Sequence, residues 1–87
     1  MKLLWADHAW EDYLHWHGSG PNTFQRVNDL IAECRRNPFK GTGKPEPLKG
    51  DLKGWWSRRI TEKDRLVYDF QDDVVVIIAC RFRYDDH

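Results

Sequence analysis

The 87-residue sequence has no long apolar run, only two cysteines and no net charge. A helix that spans a membrane needs about 20 consecutive apolar residues, and no stretch of the sequence approaches that length. The apolar start, residues 1–5, is also shorter than the apolar core of a secretion signal. We therefore expect a soluble cytoplasmic protein that does not contact membranes.

The two cysteines, Cys34 and Cys80, lie in apolar stretches and match no metal-binding or redox spacing. A single disulfide is one alternative, but isolated buried thiols are the commoner arrangement in a reducing compartment. The histidines near the first predicted helix (His8, His15 and His17) offer no better site, because side chains two residues apart on a helix point in different directions. The sequence predicts neither a metal site nor a cofactor.

The zero net charge conceals a basic middle. Residues 1–34 and residues 66–87 each hold two basic and five acidic side chains, a net charge of −3 for each segment. Residues 35–65 hold ten basic against four acidic side chains, a net charge of +6. Such a concentration is typical of a phosphate-binding surface, and a solvated surface without a ligand is the alternative.

Apolar spacing in the first half of the chain predicts a strand at residues 1–5 and then two helices. Asp7 is expected to cap the first helix, which ends by residues 18–21. Its apolar side chains recur at i, i+3 and i+4: Trp10, Tyr13 and Leu14. Asn22 and Gln25 resemble a capping box for the second helix, which Asn37-Pro38 ends. That helix has a second apolar stripe, made of Phe24, Val27, Leu30, Ile31 and Cys34.

The second half predicts a sheet. Residues 37–50 are rich in glycine and proline, which indicates a loop with at most a short strand near its end. Three strand-like runs follow, at residues 54–60, 65–70 and 74–84, and their short connections favour hairpins. The predicted fold is α+β, with two N-terminal helices packed on one face of a four- to five-stranded, mostly antiparallel sheet.

Period-two alternation places arginines on the sheet face away from the helices. One face of the second run carries Arg65, Val67 and Asp69, and its other face carries the expected core residues Leu66, Tyr68 and Phe70. One face of the last run carries Ile77, Ala79, Arg81 and Arg83. An open face lined by arginine, beside a basic loop, can hold a phosphodiester. The same face would equally suit an RNA-binding protein without catalytic activity.

Glu46 is the only carboxylate between Lys40 and Gly50, and lysines surround it. Nearby cations favour the charged form of a carboxylate. An ionised glutamate beside a bound phosphodiester can take the proton of a ribose 2′-OH, and the alkoxide then attacks the adjacent phosphorus without a metal. For a single loop glutamate, a solvated charge is the alternative.

Taken together, several stretches resemble the YoeB (Txe) toxins, within the RelE superfamily of bacterial ribosome-dependent mRNA interferases. The stretches are Met1-Lys2-Leu3-Leu4-Trp5, Arg35-Arg36-Asn37-Pro38-Phe39, Gly43-Lys44-Pro45-Glu46-Pro47-Leu48-Lys49, Trp56-Ser57-Arg58-Arg59-Ile60, Arg65-Leu66-Val67-Tyr68 and Ala79-Cys80-Arg81. The resemblance implies one toxin domain over residues 1–84, with a RelE-like, microbial-ribonuclease-like fold, and a short C-terminal extension at residues 85–87. The combination of motifs is far more specific than any one of them.

The resemblance also implies roles for individual residues. The family's general base falls on Glu46 and its transition-state arginine on Arg65. Lys49 and Arg59 are expected to hold the scissile phosphate and the neighbouring backbone. Lys44 and Arg81 are assigned to the same phosphate-binding set.

The C-terminal pair departs from the family. Where the family has His-Tyr this chain has Arg83-Tyr84, so the tyrosine carries over and the histidine does not. The family histidine is the usual candidate for the general acid, and arginine is a poor proton donor at neutral pH. We expect Arg83 to clamp phosphate, which leaves Tyr84, a water or His87 as the alternatives for protonating the leaving 5′-oxygen.

The partners implied by the resemblance are a YefM-like antitoxin, the ribosome with its mRNA, and a second copy in a homodimer. Two other hypotheses stay open: an RNA- or ribosome-binding inhibitor made inactive by Arg83, and a repressor component that binds its antitoxin on operator DNA. The tryptophans are typical of core residues. For Trp55 and Trp56, contact with RNA or a partner is the alternative.

Overall fold

The computed structural model describes residues 1–81, which form two helices and a five-stranded sheet. The elements in chain order are β1 (Lys2–Trp5), α1 (Asp7–His17), α2 (Pro21–Arg36), β2 (Glu46–Pro47), a 3-10 turn (Gly50–Leu52), β3 (Trp55–Arg59), β4 (Arg65–Gln71) and β5 (Val74–Ala79). The strands lie in the order β1-β5-β4-β3-β2. β1 is parallel to β5, and the other pairs are antiparallel. The predicted α+β architecture is confirmed.

The main core lies between the helices and one face of the sheet. Helix α2 contributes the stripe that the sequence predicts, with Val27, Leu30, Ile31 and Cys34 buried. The sheet contributes Leu66, Tyr68, Val75 and Ile77, which are fully buried. A smaller apolar cluster lies on the opposite face, where Leu48, Val67 and Ala79 are buried and Leu52, Trp55 and Ile78 pack against them. Neither helix in the described part of the chain is long and apolar enough to cross a membrane.

Helix α1 buries a different side from the one that the sequence predicts. Its buried side chains are Ala9, Asp12 and Trp16. Trp10 and Leu14, from the predicted stripe, are 46% and 52% exposed. The carboxylate of Asp12 accepts the backbone N–H of Cys80 at 3.1 Å, which satisfies a polar group inside the core. Because that bond makes an aspartate acceptable in the core, the face cannot be recognised from hydrophobicity alone.

Neither predicted helix cap forms. Asp7 is the first helical residue of α1, and the helix has no side-chain cap bond. Helix α2 begins at Pro21, a position where proline's missing N–H costs nothing. The side chain of Gln25 donates to Asp29 at 2.8 Å instead of completing a capping box with Asn22.

A β-bulge changes the face that the end of β5 presents. Val67 pairs with Ala79 and Tyr68 pairs with Ile77, so Ile78 is an extra residue on β5. The bulge places Ala79 in the smaller cluster, whereas Ile77 stays in the main core. The prediction that Ile77 and Ala79 share a face is therefore wrong. The predicted last strand is also too long. β5 ends at Ala79, and the next two described residues, Cys80 and Arg81, are outside the strand.

Candidate functional site

The sheet face away from the helices, the open face, carries the candidate residues side by side. One row across four strands consists of Glu46, Ser57, Val67 and Ala79. Directly opposed residues of a sheet point to the same face. Val67 and Ala79 belong to the cluster on the open side, so Glu46 projects from that side too. It lies at the sheet edge formed by β2, and it is exposed.

Two arginines form the next row of the open face. Arg59 of β3 lies opposite Arg65 of β4. Arg59 is the diagonal neighbour of Glu46, and such neighbours lie about 7–8 Å apart. Arg65 is one strand further, and its strand lies about 10 Å from β2 across the sheet. Like charges at opposed positions are destabilising. An anion bound between the two guanidinium groups would relieve that repulsion. The pair is therefore suited to the predicted binding of phosphate.

The guanidinium of Arg65 is held against the β3–β4 turn. Its Nη1 donates to the carbonyl oxygens of Thr61, Glu62 and Asp64 at 3.1, 3.2 and 3.2 Å. The turn is itself braced, because the Thr61 hydroxyl donates to the Asp64 carboxylate at 2.8 Å. These bonds to Arg65 within residues 1–81 all use Nη1, so Nε and Nη2 can still meet a ligand.

The loop before β2 is fastened to β3 beside the arginines. The backbone N–H of Arg59 donates to the carbonyl of Gly43 at 2.7 Å. A Cβ on Gly43 would lie 3.0 Å from Leu30 and 3.1 Å from the Arg59 carbonyl, and its φ is +87°, so only glycine fits. Lys44 follows with a φ of 51° and an exposed side chain. The attachment therefore places Lys44 and Glu46 next to Arg59.

Lys49 lies at the other end of β2. It follows Leu48, which is 5% exposed and packs in the open-face cluster, and whose N–H donates to the Trp55 carbonyl at 2.9 Å. Lys49 itself is exposed and immediately precedes the 3-10 turn. Strand register thus brings Glu46, Arg59 and Arg65 to one face of the sheet, and the exposed residues Lys44 and Lys49 flank β2 along the chain.

Arg58 is the residue whose role sequence reasoning missed. It counts toward the basic middle, yet its side chain is 0% exposed and lies on the helix side of β3. Its guanidinium donates to the carbonyls of Asn37, Lys40 (2.8 Å) and Thr42 (3.3 Å), and Nε donates to the Tyr68 hydroxyl at 3.2 Å. The signal was available: β3 alternates, so Arg58 must face away from Arg59.

Tyr68 and Glu33 hold the same loop from two further directions. The Tyr68 hydroxyl donates to the Pro38 carbonyl at 2.6 Å, and burial raises the pKa of Tyr68 to about 12. The Glu33 carboxylate accepts the backbone N–H of Thr42 at 3.1 Å, and this hydrogen bond lowers the pKa of Glu33. The loop that leads to Glu46 is therefore held by hydrogen bonds, in addition to the packing of Phe39 against Trp56 and Phe70.

The chain beyond β5 is held at its first residue. The Cys80 N–H donates to Asp12, and the Cys80 carbonyl accepts the indole N–H of Trp16. Arg81 follows directly and is half-buried. Arg83, Tyr84 and His87 lie outside the described residues, so their assigned roles stay predictions.

Within residues 1–81, no group of three or more His, Cys, Asp and Glu side chains could hold a metal ion. Both cysteines are free thiols. Burial raises the pKa of Cys34 to about 11 and that of Cys80 to about 12, so both thiols are protonated at neutral pH and are poor nucleophiles. A cleft of about 510 Å³ lies along α2 and reaches Thr42 of the loop before β2.

Comparison with known proteins gives the same family by sequence and by structure. The profile of the "YoeB-like toxin of bacterial type II toxin-antitoxin system" matches residues 5–84. The toxin YoeB of Escherichia coli K12 is 52% identical over 84 residues, which cover 97% of this chain and 100% of the relative. The toxin YoeB of Streptomyces coelicolor is 54% identical with the same coverage.

A solved structure extends the agreement to three dimensions. The YoeB/ParE toxin from Agrobacterium tumefaciens superposes with a TM-score of 0.91 at 46% identity, covering 97% of this chain and 100% of its own. This likeness includes the helices and the sheet that carries Glu46, Arg59 and Arg65. On these findings, the chain belongs to the YoeB-like toxin family of bacterial type II toxin–antitoxin systems.

Proposed function

We propose that this toxin is an endoribonuclease that cuts mRNA on the ribosome and so blocks translation. The observation that carries the proposal is the arrangement on the open face, where Glu46 lies one row from the opposed pair Arg59 and Arg65. A carboxylate beside a phosphate-binding pair is what 2′-OH attack requires. Membership of the toxin family supports the same activity.

In the proposed reaction Glu46 takes the proton from a ribose 2′-OH. The 2′-oxygen forms a bond to the adjacent phosphorus, and the bond from phosphorus to the 5′-oxygen breaks, which leaves a 2′,3′-cyclic phosphate and a 5′-hydroxyl. Arg65 and Arg59 stabilise the added negative charge on the phosphate, with Lys44, Lys49 and Arg81 along the neighbouring backbone. The leaving oxygen takes its proton from Tyr84 or water, and no step uses a metal.

The ribosome supplies what this small surface lacks. The functional side chains that the open face presents are mainly charged groups suited to phosphates, which carry no base sequence. Holding the mRNA in the decoding site would position the 2′-OH and the phosphate, and such positioning contributes several kcal/mol to a reaction. We therefore place the cut in the ribosomal A site.

The partners follow from relatives. A YoeB–YefM complex and a YoeB dimer are known from Staphylococcus aureus, each at 34% identity to this chain with a TM-score of 0.86. We propose that this toxin likewise binds an antitoxin of the YefM class and forms a dimer. An antitoxin that covers the open face would inhibit the nuclease by preventing RNA from binding there.

The test is cleavage of mRNA on purified 70S ribosomes. Glu46→Gln should lower the rate about 10²–10⁴-fold, the usual effect of removing a general base. Glu11→Gln is the matched control, because it removes an exposed carboxylate from α1 on the far side of the sheet and should cut normally. Arg65→Ala should also stop cleavage.

The same assay distinguishes cleavage of the mRNA from inhibition by binding to the ribosome alone. If wild type blocks translation without cutting, and Glu46→Gln blocks equally well, the catalytic assignments are withdrawn. The variant Arg83→His, which restores the family residue, should cut at least as fast as wild type. An increase approaching 10²-fold would show that the leaving oxygen lacks an efficient acid in this chain.

A further inference from the structure

Only part of the open face has a role in the proposed cleavage. Beside these charged residues the face carries an apolar cluster. We call this cluster the apolar shelf; it consists of Leu48, Leu52, Trp55, Val67, Ile78 and Ala79. Trp55, Leu52 and Ile78 are half-buried, so the shelf presents apolar surface beside a site for a charged ligand.

Glu46 shares a row of the sheet with Val67 and Ala79 of the apolar shelf, and this row lies between Trp55 and the arginine row. Along β3 the open face carries Trp55, Ser57 and Arg59, and Glu46 is opposite Ser57. Two residues along a strand span about 7 Å. Trp55 and Arg59 therefore stand about 7 Å to either side of the row that holds Glu46. The two side chains are thus about 14 Å apart along β3, and they separate an aromatic from a cationic group, which is the same division as that between the base and the phosphate of a nucleotide.

Asp69 favours one orientation of a bound strand. It lies directly opposite Trp55, and its carboxylate accepts the Phe70 N–H at 2.7 Å and the Gln71 amide at 2.8 Å. A carboxylate at the shelf end repels phosphate, whereas the two opposed arginines at the other end attract it. The charges therefore direct the backbone of a strand toward Arg59 and its bases toward Trp55.

We propose that the apolar shelf is a nucleobase subsite, in which the indole of Trp55 stacks on an unstacked base of the RNA strand whose phosphate lies at Arg59 and Arg65. The inference rests on the proposed RNA cleavage and adds where a base next to the cut is held. Stacking on an aromatic ring accepts any base, since every base has a π-face. The subsite therefore supplies affinity without choosing the base.

The experiment measures binding without cleavage. Full-length toxin is titrated with a 2′-O-methyl pentanucleotide, which cannot be cut, and the indole N–H signals are followed by NMR. Trp55→Leu keeps an apolar side chain but removes the ring, and should weaken binding about 5- to 100-fold. Trp55→Phe keeps an aromatic ring and should bind within a few-fold of wild type, so a folding defect in Trp55→Leu would leave a second variant to compare.

Matched controls separate stacking from general loss of a tryptophan. Trp10→Leu removes an indole that is 46% exposed on α1, and should bind RNA as wild type does. In a second series each base of the pentanucleotide in turn is replaced by an abasic sugar. Removing one particular base should weaken binding to wild type and to Trp55→Phe, and should leave binding to Trp55→Leu unchanged.

Three results would overturn the subsite. The first is an equal affinity of Trp55→Leu and Trp10→Leu for the RNA, and the second is an equal loss in wild type and Trp55→Leu at every abasic position. A loss of antitoxin binding in Trp55→Leu with unchanged RNA affinity would also overturn it, by assigning the shelf to the protein partner. These outcomes concern binding alone. Failure of the cleavage proposal would appear instead as normal cutting by Glu46→Gln.

Discussion

Two consecutive arginines of β3, Arg58 and Arg59, lie on opposite faces of the sheet and differ in their hydrogen-bond partners. On the helix side, Arg58 is 0% exposed, and the protein itself supplies acceptors for its guanidinium. On the open side Arg59, the next residue, is exposed, and no hydrogen bond or ion pair to its side chain forms within residues 1–81. Its directly opposed neighbour is another arginine. A guanidinium thus stabilises the fold where the protein provides acceptors, and is left for a ligand where it does not.

The largest expected difference between the faces is in stability. Arg58→Ala removes the donor to three loop carbonyls and to the buried Tyr68 hydroxyl and opens a cavity, so we expect the free energy of unfolding to fall by about 3–5 kcal/mol. Arg59→Ala removes an exposed side chain and should change it by no more than about 0.5 kcal/mol. Urea unfolding of the two variants measures both. Similar losses in the two proteins would show that the faces are not divided as described.

The bulge in β5 offers a second comparison. Ile77 is fully buried in the main core, so Ile77→Ala should cost about 2–4 kcal/mol. Ile78 packs half-buried on the apolar shelf, and Ile78→Ala should cost about 1 kcal/mol. Thermal unfolding followed by circular dichroism ranks the two. A reversed order would place the bulge, and the division of the faces, elsewhere.

On the open face the expected effect is on RNA rather than on stability. Arg59→Ala should weaken binding of the uncleavable pentanucleotide about tenfold and lower the salt dependence of binding by about one counterion. Arg35→Ala is the control, since its guanidinium donates to the Met1 carbonyl and lies away from Glu46. Fluorescence anisotropy at several salt concentrations measures the slopes. Equal slopes for wild type and Arg59→Ala would remove Arg59 from the phosphate site.

The smallest effect concerns Glu33 and pH. Because the Thr42 N–H lowers the pKa of Glu33, the ionised form is favoured by folding, and its contribution is present above the unfolded value of about 4.3. It is lost as the pH falls through the lower folded pKa. Over this acid range the free energy of unfolding should fall further in wild type than in Glu33→Gln. The difference should be less than about 1 kcal/mol. Urea midpoints from pH 6 to pH 3 test this, and parallel profiles would contradict it.

The antiparallel pairing of β3, β4 and β5 followed from the sequence because short turns leave few ways to join three β-like runs. The parallel pairing of β1 with β5 was not predicted, since the two strands are far apart in the chain. The strand pattern also predicted that Arg65 faces away from Leu66 and Tyr68. Patterns did not reveal the bulge at Ile78, because an extra residue has no signature in a run of Val, Ile and Ala. They also misassigned α1, whose buried Asp12 depends on a distant N–H at Cys80. A contact between residues 68 positions apart is invisible to local periodicity.

Some residues of the candidate site could be predicted from the sequence and others could not, for a similar reason. Glu46 and Arg65 were singled out from the residue pattern, and the family motif added Arg59 and the individual roles. The nearness of the three depends on strand register, which neither the pattern nor the motif states. Arg58 was counted with the surface charges, because its acceptors are loop carbonyls that no residue type announces. Side-chain chemistry can be read from the sequence, whereas backbone partners appear only when the chain is folded.

The position of β5 has a consequence for how the toxin is made. β5 is the last strand among the described residues, yet it lies between β1 and β4 in the sheet. While the chain is being synthesised, β1 has no strand to pair with until residues 74–79 have left the ribosome. The N-terminal strand therefore joins the sheet that carries the two opposed arginines only late in synthesis. Of the described strands, the one that is made last is the one that connects the first to the rest of the sheet.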